Sequence, residues 1–155
     1  MNDRATRAVD ANLFVGFGNE EPAVALLLAH LPARIEQPMA FAVENRIVLI
    51  QDPQTKAGIG ISLGGLGFED RAVERSSLHE YAPGIDLRTC SAEDLIVYKA
   101  FANRDIDWHD VKGILIRQQG RLDFNLIERE LAPLAGLREQ PAIPDRWGEL
   151  RRRYP

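Results

Sequence analysis

The spacing of apolar residues changes near residue 90, and this change constrains the fold more than any other feature. Before it, short apolar runs are separated by Gly, Pro, Asn and Asp, a pattern typical of strands joined by turns. After it, apolar residues recur every three or four positions behind capping residues, a pattern typical of helices. The sequence therefore predicts an α+β fold, with a small mixed sheet and flanking helices followed by a C-terminal three-helix portion.

The chain has 155 residues, the length of one ordinary domain. We predict a single domain over residues 1–135, with a strand-rich part at 1–90, a helical part at 91–135 and a tail at 136–155. In the strand-rich part, strands, a hairpin and helices alternate. The strands are predicted at 11–15, 58–63 and 85–89, the hairpin at 39–51 with its turn at 44–45, and the helices at 20–31 and 68–81.

Polar residues predict where the helices of the second part begin. Ser91 with an acid three residues later resembles a capping box and starts a helix that runs to about residue 103. Asp107 and Asp110 repeat this arrangement, and Asp123 caps a third helix. The third helix should carry one buried stripe, because its apolar residues fall on a single face. These residues are Phe124, Ile127, Leu131 and Leu134.

Composition excludes several classes of protein. A single cysteine, Cys90, excludes an internal disulfide framework and a cysteine-rich zinc site. The formal net charge of −4 supplies no global basic field for nucleic acid. The longest apolar run, 23–31, is far shorter than the roughly 20 residues of a membrane span. We therefore expect no membrane association, no signal peptide and a cytoplasmic location.

Three strings combine residues that could carry chemistry. Residues 4–10 read R-A-T-R-A-V-D and precede a strand; residues 58–69 read G-I-G-I-S-L-G-G-L-G-F-E; residues 94–102 read D-L-I-V-Y-K-A-F-A and are followed by Arg104, Asp107 and Asp110. Together they resemble the minimal nucleotidyltransferases of the abortive-infection and type IV toxin class. That family carries Arg-x-Thr-x-Asp-x-Asp before a strand, a Gly-rich turn, Asp-Leu-Ile-x-x-Lys-x-x-Ala and Asp-x-x-Asp. The resemblance covers roughly residues 4–135 and implies a nucleotidyltransferase-like fold.

The resemblance implies transfer of a nucleotide from a nucleoside triphosphate to an RNA or protein acceptor, assisted by magnesium. Carboxylates two residues apart on a strand share one face, and they would hold the cations that neutralise the triphosphate. The resemblance also implies an antitoxin protein as partner. By position it assigns catalysis to Asp10, Lys99 and Asp107, the metal to Asp10, and the nucleotide to Arg4, Thr6, Lys99 and Arg104.

The sequence departs from the family pattern in three places. Ala8 stands where the family has its first Asp, and Gly60 stands where a third carboxylate is expected. The strand–helix element that precedes the Arg-x-Thr string in the family is missing. One carboxylate of three is a poor magnesium site, because Mg²⁺ gives up its bound water reluctantly.

Each candidate residue also has a structural interpretation. Asp10 could be a polar strand end, Lys99 a solvated helix residue, and Arg104 the partner of a surface acid. Asp107 and Asp110 could serve as helix caps, and Gly64–Gly65 could be a tight turn instead of a phosphate loop.

Three hypotheses therefore stay open. The chain is an active transferase, a relative with weakened or lost catalysis that binds a nucleotide or a protein, or part of an enzyme whose true start lies upstream of Met1. Because a missing first strand leaves a sheet edge unpaired, we also expect a homodimer.

Overall fold

The computed structural model of the protein describes residues 8–137 and 142–154. It contains helices and two small sheets, so the predicted α+β class is confirmed. The chain divides into two compact units, Met1–Arg71 and Ala72–Pro155. The first unit holds a three-stranded sheet, and the second holds a two-stranded sheet and a group of helices.

Three strands and two complete helices make up the first unit. They are β1 Ala8–Phe14, α1 Glu20–His30, α2 Pro38–Asn45, β2 Ile47–Gln51 and β3 Gly58–Gly64; α3 Gly67–Arg75 then runs across the unit boundary. The strand order is β1-β3-β2. β1 pairs in parallel with β3, and β2 pairs antiparallel with β3. β3 is therefore the central strand, and β1 and β2 lie at the edges.

The core of the first unit forms between the helices and one face of this sheet. Side chains of β2 and β3 alternate between the two faces, as strand geometry requires. The buried core residues are Val24, Ala42, Val48, Ile50 and Leu63. Burial of this apolar surface is what stabilises a sheet of only three strands, because backbone pairing alone is marginal in water.

The hairpin predicted at 39–51 is wrong. Its first half is the helix α2, and only its second half is a strand, β2. Pro38 lies in the first turn of α2, where its fixed φ is compatible with a helix. The expected turn residue Asn45 is helical, and Arg46 ends the helix in a left-handed conformation, φ 53°. A short apolar run does not distinguish helix from strand, which explains the error.

Two strands and four further helices make up the second unit. They are β4 Ser77–Ala82, β5 Ile85–Thr89, α4 Ala92–Ala102, α5 Asp105–Arg117, α6 Phe124–Leu137 and α7 Ala142–Arg153. β4 and β5 form an antiparallel hairpin. The helix predicted at 68–81 is therefore wrong beyond Arg75. Pro83 and Gly84 form the turn of this hairpin, and Gly84 has φ 76°.

The predicted caps of α4 and α6 are confirmed. The Ser91 hydroxyl accepts a hydrogen bond from the Asp94 N–H at 3.0 Å, and Asp123 Oδ1 accepts one from the Leu126 N–H at 3.1 Å. The predicted stripe on α6 is buried at Ile127, Leu131 and Leu134, whereas its first member, Phe124, is half-buried.

Four helices, not three, follow residue 90 in the described part of the chain. The fourth, α7, lies in the stretch predicted as a tail. It is held by Ile143 and Trp147, both buried, and the Trp147 ring centroid lies 6.0 Å from that of Phe124. Pro144 sits in the first turn of α7, where a proline does not interrupt a helix. Among the described residues, no helix is both long and apolar enough to cross a membrane.

Candidate functional site

The charged residues of the C-terminal string come together where α4 meets α5. Asn103 ends α4 in a left-handed conformation, φ 57°, and its side-chain oxygen accepts a hydrogen bond from Trp108 Nε1 at 2.7 Å. Arg104 is the residue before the first turn of α5. Because only residues 103 and 104 connect the two helices, Lys99 in the last turn of α4 lies beside the start of α5.

Lys99, Arg104, Asp107 and Asp110 form one network, which we call the charged cluster. Lys99 Nζ lies 2.9 Å from Asp110 Oδ2 and 3.5 Å from Asp107 Oδ1. The Arg104 guanidinium donates two hydrogen bonds to Asp107, from Nε at 2.6 Å and from Nη2 at 3.0 Å. Both cations therefore share one carboxylate, and the paired geometry fixes the orientation of the Arg104 fork.

Burial differs sharply within the charged cluster. The Asp107 side chain is 1% exposed, whereas that of Arg104 is 70% exposed. The hydrogen bond from Arg104 holds the pKa of Asp107 below its ordinary value, against the opposing effect of burial. The hydrogen bond to Asp110 raises the pKa of Lys99 above its ordinary value. The buried Asp107 carboxylate therefore holds the Lys99 ammonium and the Arg104 guanidinium in place.

Asp107 also caps α5. Its Oδ2 accepts a hydrogen bond from the Arg104 backbone N–H at 3.3 Å. The prediction that Asp107 is the first cap of this helix is wrong, because α5 begins at Asp105 and Arg104 is its N-cap; Asp107 caps the helix from the third position instead. Asp110 pairs with Lys99 instead of capping the helix. The charged cluster therefore has a structural function at its buried end, whatever its exposed end binds.

Asp10 lies in the other unit, on the exposed edge strand β1. In the sheet register it is the direct neighbour of Gly60 on β3. A side chain at Gly60 would project toward it, because a Cβ built there lies 3.1 Å from Asp10 Oδ1. The pairing thus puts Gly60 beside Asp10, where the resemblance expects a carboxylate, but glycine supplies no oxygen ligand.

The described residues do not fit the magnesium that the resemblance implies. Mg²⁺ is bound through carboxylate oxygens, and β1 and β3 offer one carboxylate, that of Asp10. Within residues 8–137 and 142–154, no group of three or more His, Cys, Asp or Glu side chains is placed to hold a metal ion.

The glycine-rich turn after β3 is occupied by a carboxylate of the protein itself. Glu69 Oε2 accepts hydrogen bonds from the backbone N–H groups of Gly65 and Leu66, at 2.7 and 2.8 Å. Its other oxygen accepts one from Asn12 Nδ2 at 3.1 Å. Glu69 thus caps α3 with the donors that a phosphate would need, which favours the tight-turn interpretation of Gly64–Gly65.

Two candidate residues, Arg4 and Thr6, lie outside the described residues. Asp10 belongs to the first unit, and Lys99, Arg104 and Asp107 belong to the second. The assignment of Asp10 and Lys99 to one catalytic site, which the resemblance implies, therefore stays a prediction. Within the second unit, the structure brings together Lys99, Arg104 and Asp107.

A second charged network in the helical unit was not predicted. Arg75 Nη2 lies 2.6 Å from Asp94 Oδ1, and Arg75 Nη1 lies 2.9 Å from Glu130 Oε1. The side chains of Asp94 and Glu130 are 0% and 4% exposed. The hydrogen bond to Asp94 raises the pKa of Arg75. This network links the end of α3 to α4 and α6, and its only local signal is Asp94 at the start of the motif string.

No protein-family model matches the chain, and a search of curated proteins finds no match. Any assignment of function therefore depends on the residues themselves and on the motif resemblance.

Proposed function

We propose that the protein is a nucleotidyltransferase-like protein that binds the phosphates of a nucleoside triphosphate through Lys99 and Arg104, and in which nucleotidyl transfer to RNA or protein is lost. The observation that carries the proposal is the charged cluster. It orients an ammonium and a guanidinium at one exposed place, and these are the two groups that proteins use most to hold phosphate.

Binding requires exchange of partners within the charged cluster. Its formal charge is zero, since two cations face two carboxylates. Asp107 is buried and holds both cations, so it stays in place. Asp110 is 41% exposed, and exposed ion pairs contribute little stability, so it can rotate away. A phosphate oxygen then replaces the Asp110 carboxylate on Lys99, beside the Arg104 guanidinium that Asp107 holds.

Loss of transfer is supported in the sheet unit. Asp10 faces Gly60, and Glu69 fills the N–H groups of the glycine-rich turn. A triphosphate at this edge would find a single carboxylate, Asp10, and a glycine-rich turn whose backbone N–H groups already bind Glu69. Phosphoryl transfer depends on cations that neutralise charge in the transition state. The single carboxylate at this edge is not enough to bind them. An antitoxin partner rests on the motif resemblance alone.

The test pairs a binding measurement with a transfer assay on the full chain. We expect calorimetry to detect binding of nucleoside triphosphates, and Lys99→Ala to weaken it by about tenfold or more, because a charge-assisted contact is worth roughly 1.5–3 kcal/mol. Lys112→Ala is the matched control. Lys112 is an exposed lysine on α5 whose Nζ lies 5.8 Å from the Tyr154 ring centroid, and its loss should leave affinity unchanged.

The transfer assay supplies each of four labelled triphosphates with magnesium and bulk RNA. We expect no incorporation. Magnesium-dependent incorporation that disappears in Asp10→Ala would show an active enzyme and contradict the loss of transfer. Absence of binding by every triphosphate would contradict the binding proposal itself.

A further inference from the structure

The two edges of the three-stranded sheet are protected unequally. The outer edge of β2 is covered by residues 32–34: Ala33 forms a bridge with Ile50, and the Arg34 N–H donates to the Leu49 carbonyl at 2.9 Å. Among the described residues, no strand or bridge covers the outer edge of β1. An unprotected edge is a template for another strand, and proteins commonly block it with lysine, proline or a bulge. β1 reads A-V-D-A-N-L-F and contains neither lysine nor proline.

The described residues also leave the apolar face of β1 partly exposed. Val9 and Leu13 lie on the same sheet face as the core residue Leu63, because Leu13 is its register partner. Their exposed fractions are nevertheless 58% and 39%. The helices thus cover the β2–β3 side of this face and leave the β1 side open. An unpaired strand edge beside exposed apolar side chains favours association with another chain.

The backbone of β1 shows which groups the edge offers. The Val15 N–H donates to the Gly64 carbonyl at 3.0 Å, so the odd-numbered residues direct their backbone groups toward β3. The alternation of a strand then directs those of Asp10 and Asn12 outward. A strand added at this edge must pair with these two residues.

We propose that the occupant of this edge is a second copy of the chain, with two β1 strands paired antiparallel about a twofold axis at Ala11. In this register Val9 lies opposite Leu13 of the partner subunit, so the apolar faces continue across the axis. Asp10 lies opposite Asn12 of the partner subunit, which gives a carboxylate an amide donor. The contact is isologous, as in most dimers.

Charge and hydrogen bonding select this register. A shift that places Asp10 on the axis would set two carboxylates directly opposite each other, which is destabilising. A shift that places Asn12 on the axis would set Asp10 against Phe14. In the proposed register, one N–H of the Asn12 amide binds Glu69 in its own subunit and the second is available to the partner subunit's Asp10. The proposal does not depend on nucleotide binding.

The first test measures the mass of the protein in solution. Sedimentation equilibrium of the full chain should give twice the monomer mass, and Leu13→Lys, which puts a charge on the exposed strip, should shift the mass toward that of the monomer. A monomer mass at every concentration measured overturns the proposal.

The second test is the register, read by disulfide trapping in a Cys90→Ser background, because Cys90 is exposed. Ala11 and Ala11 of the partner subunit form a non-hydrogen-bonded pair with Cα atoms about 4.5 Å apart, within disulfide range. Ala11→Cys should therefore form a covalent dimer on mild oxidation. Val9→Cys alone should not, because the two positions lie about 14 Å apart along the strands. A mixture of Val9→Cys and Leu13→Cys should again cross-link.

The pattern of cross-links decides the outcome independently of any effect on folding, since the mixture uses different sites from Ala11→Cys. Covalent dimers from Ala11→Cys and from the mixture, but not from Val9→Cys alone, support the register. Equal cross-linking of all three samples, or of Val9→Cys alone, overturns it.

Discussion

The two units differ in the burial of their acidic residues. In the sheet unit Asp10 is exposed on an edge strand, and the buried core consists of apolar residues. In the helical unit the carboxylates of Asp94, Asp107 and Glu130 are buried, and each is paired with an arginine. A charge that the fold depends on cannot be lost without a cost in stability, whereas an exposed charge can. Ala8 and Gly60, the two positions where the resemblance expects a carboxylate, both lie in the sheet unit.

The largest effect should come from Arg75→Met. The substitution leaves Asp94 and Glu130 buried without their shared cation, and removal of one partner of a buried pair costs roughly 3–5 kcal/mol. Urea denaturation should show this fall in the free energy of unfolding. Asp70→Asn, on the exposed side of α3, is the control and should have little effect. An unchanged midpoint for Arg75→Met would mean that the buried carboxylates do not depend on Arg75.

Leu131→Ala should lower the free energy of unfolding by roughly 2–5 kcal/mol. Leu131 is 3% exposed and lies in the buried stripe of α6, so the substitution leaves a cavity in the helical unit. Denaturation measured beside Leu137→Ala, whose side chain is 68% exposed, separates burial from helix propensity. Similar losses for the two variants would contradict the assignment of the stripe to the core.

Asp107→Asn should lower the free energy of unfolding by roughly 1–3 kcal/mol. It should also make the free energy of unfolding depend less on pH in the acid range. The pKa of Asp107 is lower in the folded protein than its ordinary value of 3.8, so this carboxylate stabilises the fold above that value. The contribution is lost as the pH falls through the folded-state pKa. The midpoint temperature of thermal unfolding, measured from pH 7 to pH 2, should therefore fall less steeply at the acid end in the variant than in the wild type.

Asp10→Asn should have the smallest effect, within about 0.5 kcal/mol, because Asp10 is an exposed residue on an edge strand. The same denaturation experiment measures it. A loss comparable with that of Asp107→Asn would remove the distinction between the two units.

Local signals explain which elements could be predicted. The helices α4 and α6 follow from Ser91 and Asp123, because a side-chain cap is a signal confined to four residues. The strand β3 follows from an apolar run between glycines. The error at α2 has a local cause too: a run of five apolar residues fits either period, and packing against β2 and α1 decides it.

The site was predictable to the extent that its residues are near in sequence. Lys99, Arg104 and Asp107 fall within nine positions, and the turn at Asn103 brings them together. The contacts that sequence reasoning missed are distant in the chain. Glu69 binds Asn12 across 57 positions, and Arg75 binds Glu130 across 55. Neither the periodicity of apolar residues nor a short motif predicts which distant residue pairs with a buried carboxylate.

If the charged cluster opens at Asp110 to receive a phosphate, three forms of the protein should bind one triphosphate with different affinities. Calorimetric titration with ATP at low ionic strength compares the wild type with Lys99→Ala and Asp110→Asn. Binding should weaken about tenfold or more in Lys99→Ala and tighten in Asp110→Asn, since that variant removes the anion with which phosphate competes. Equal affinity in all three proteins, or weaker binding in Asp110→Asn, would show that the cluster does not open at Asp110 to bind phosphate.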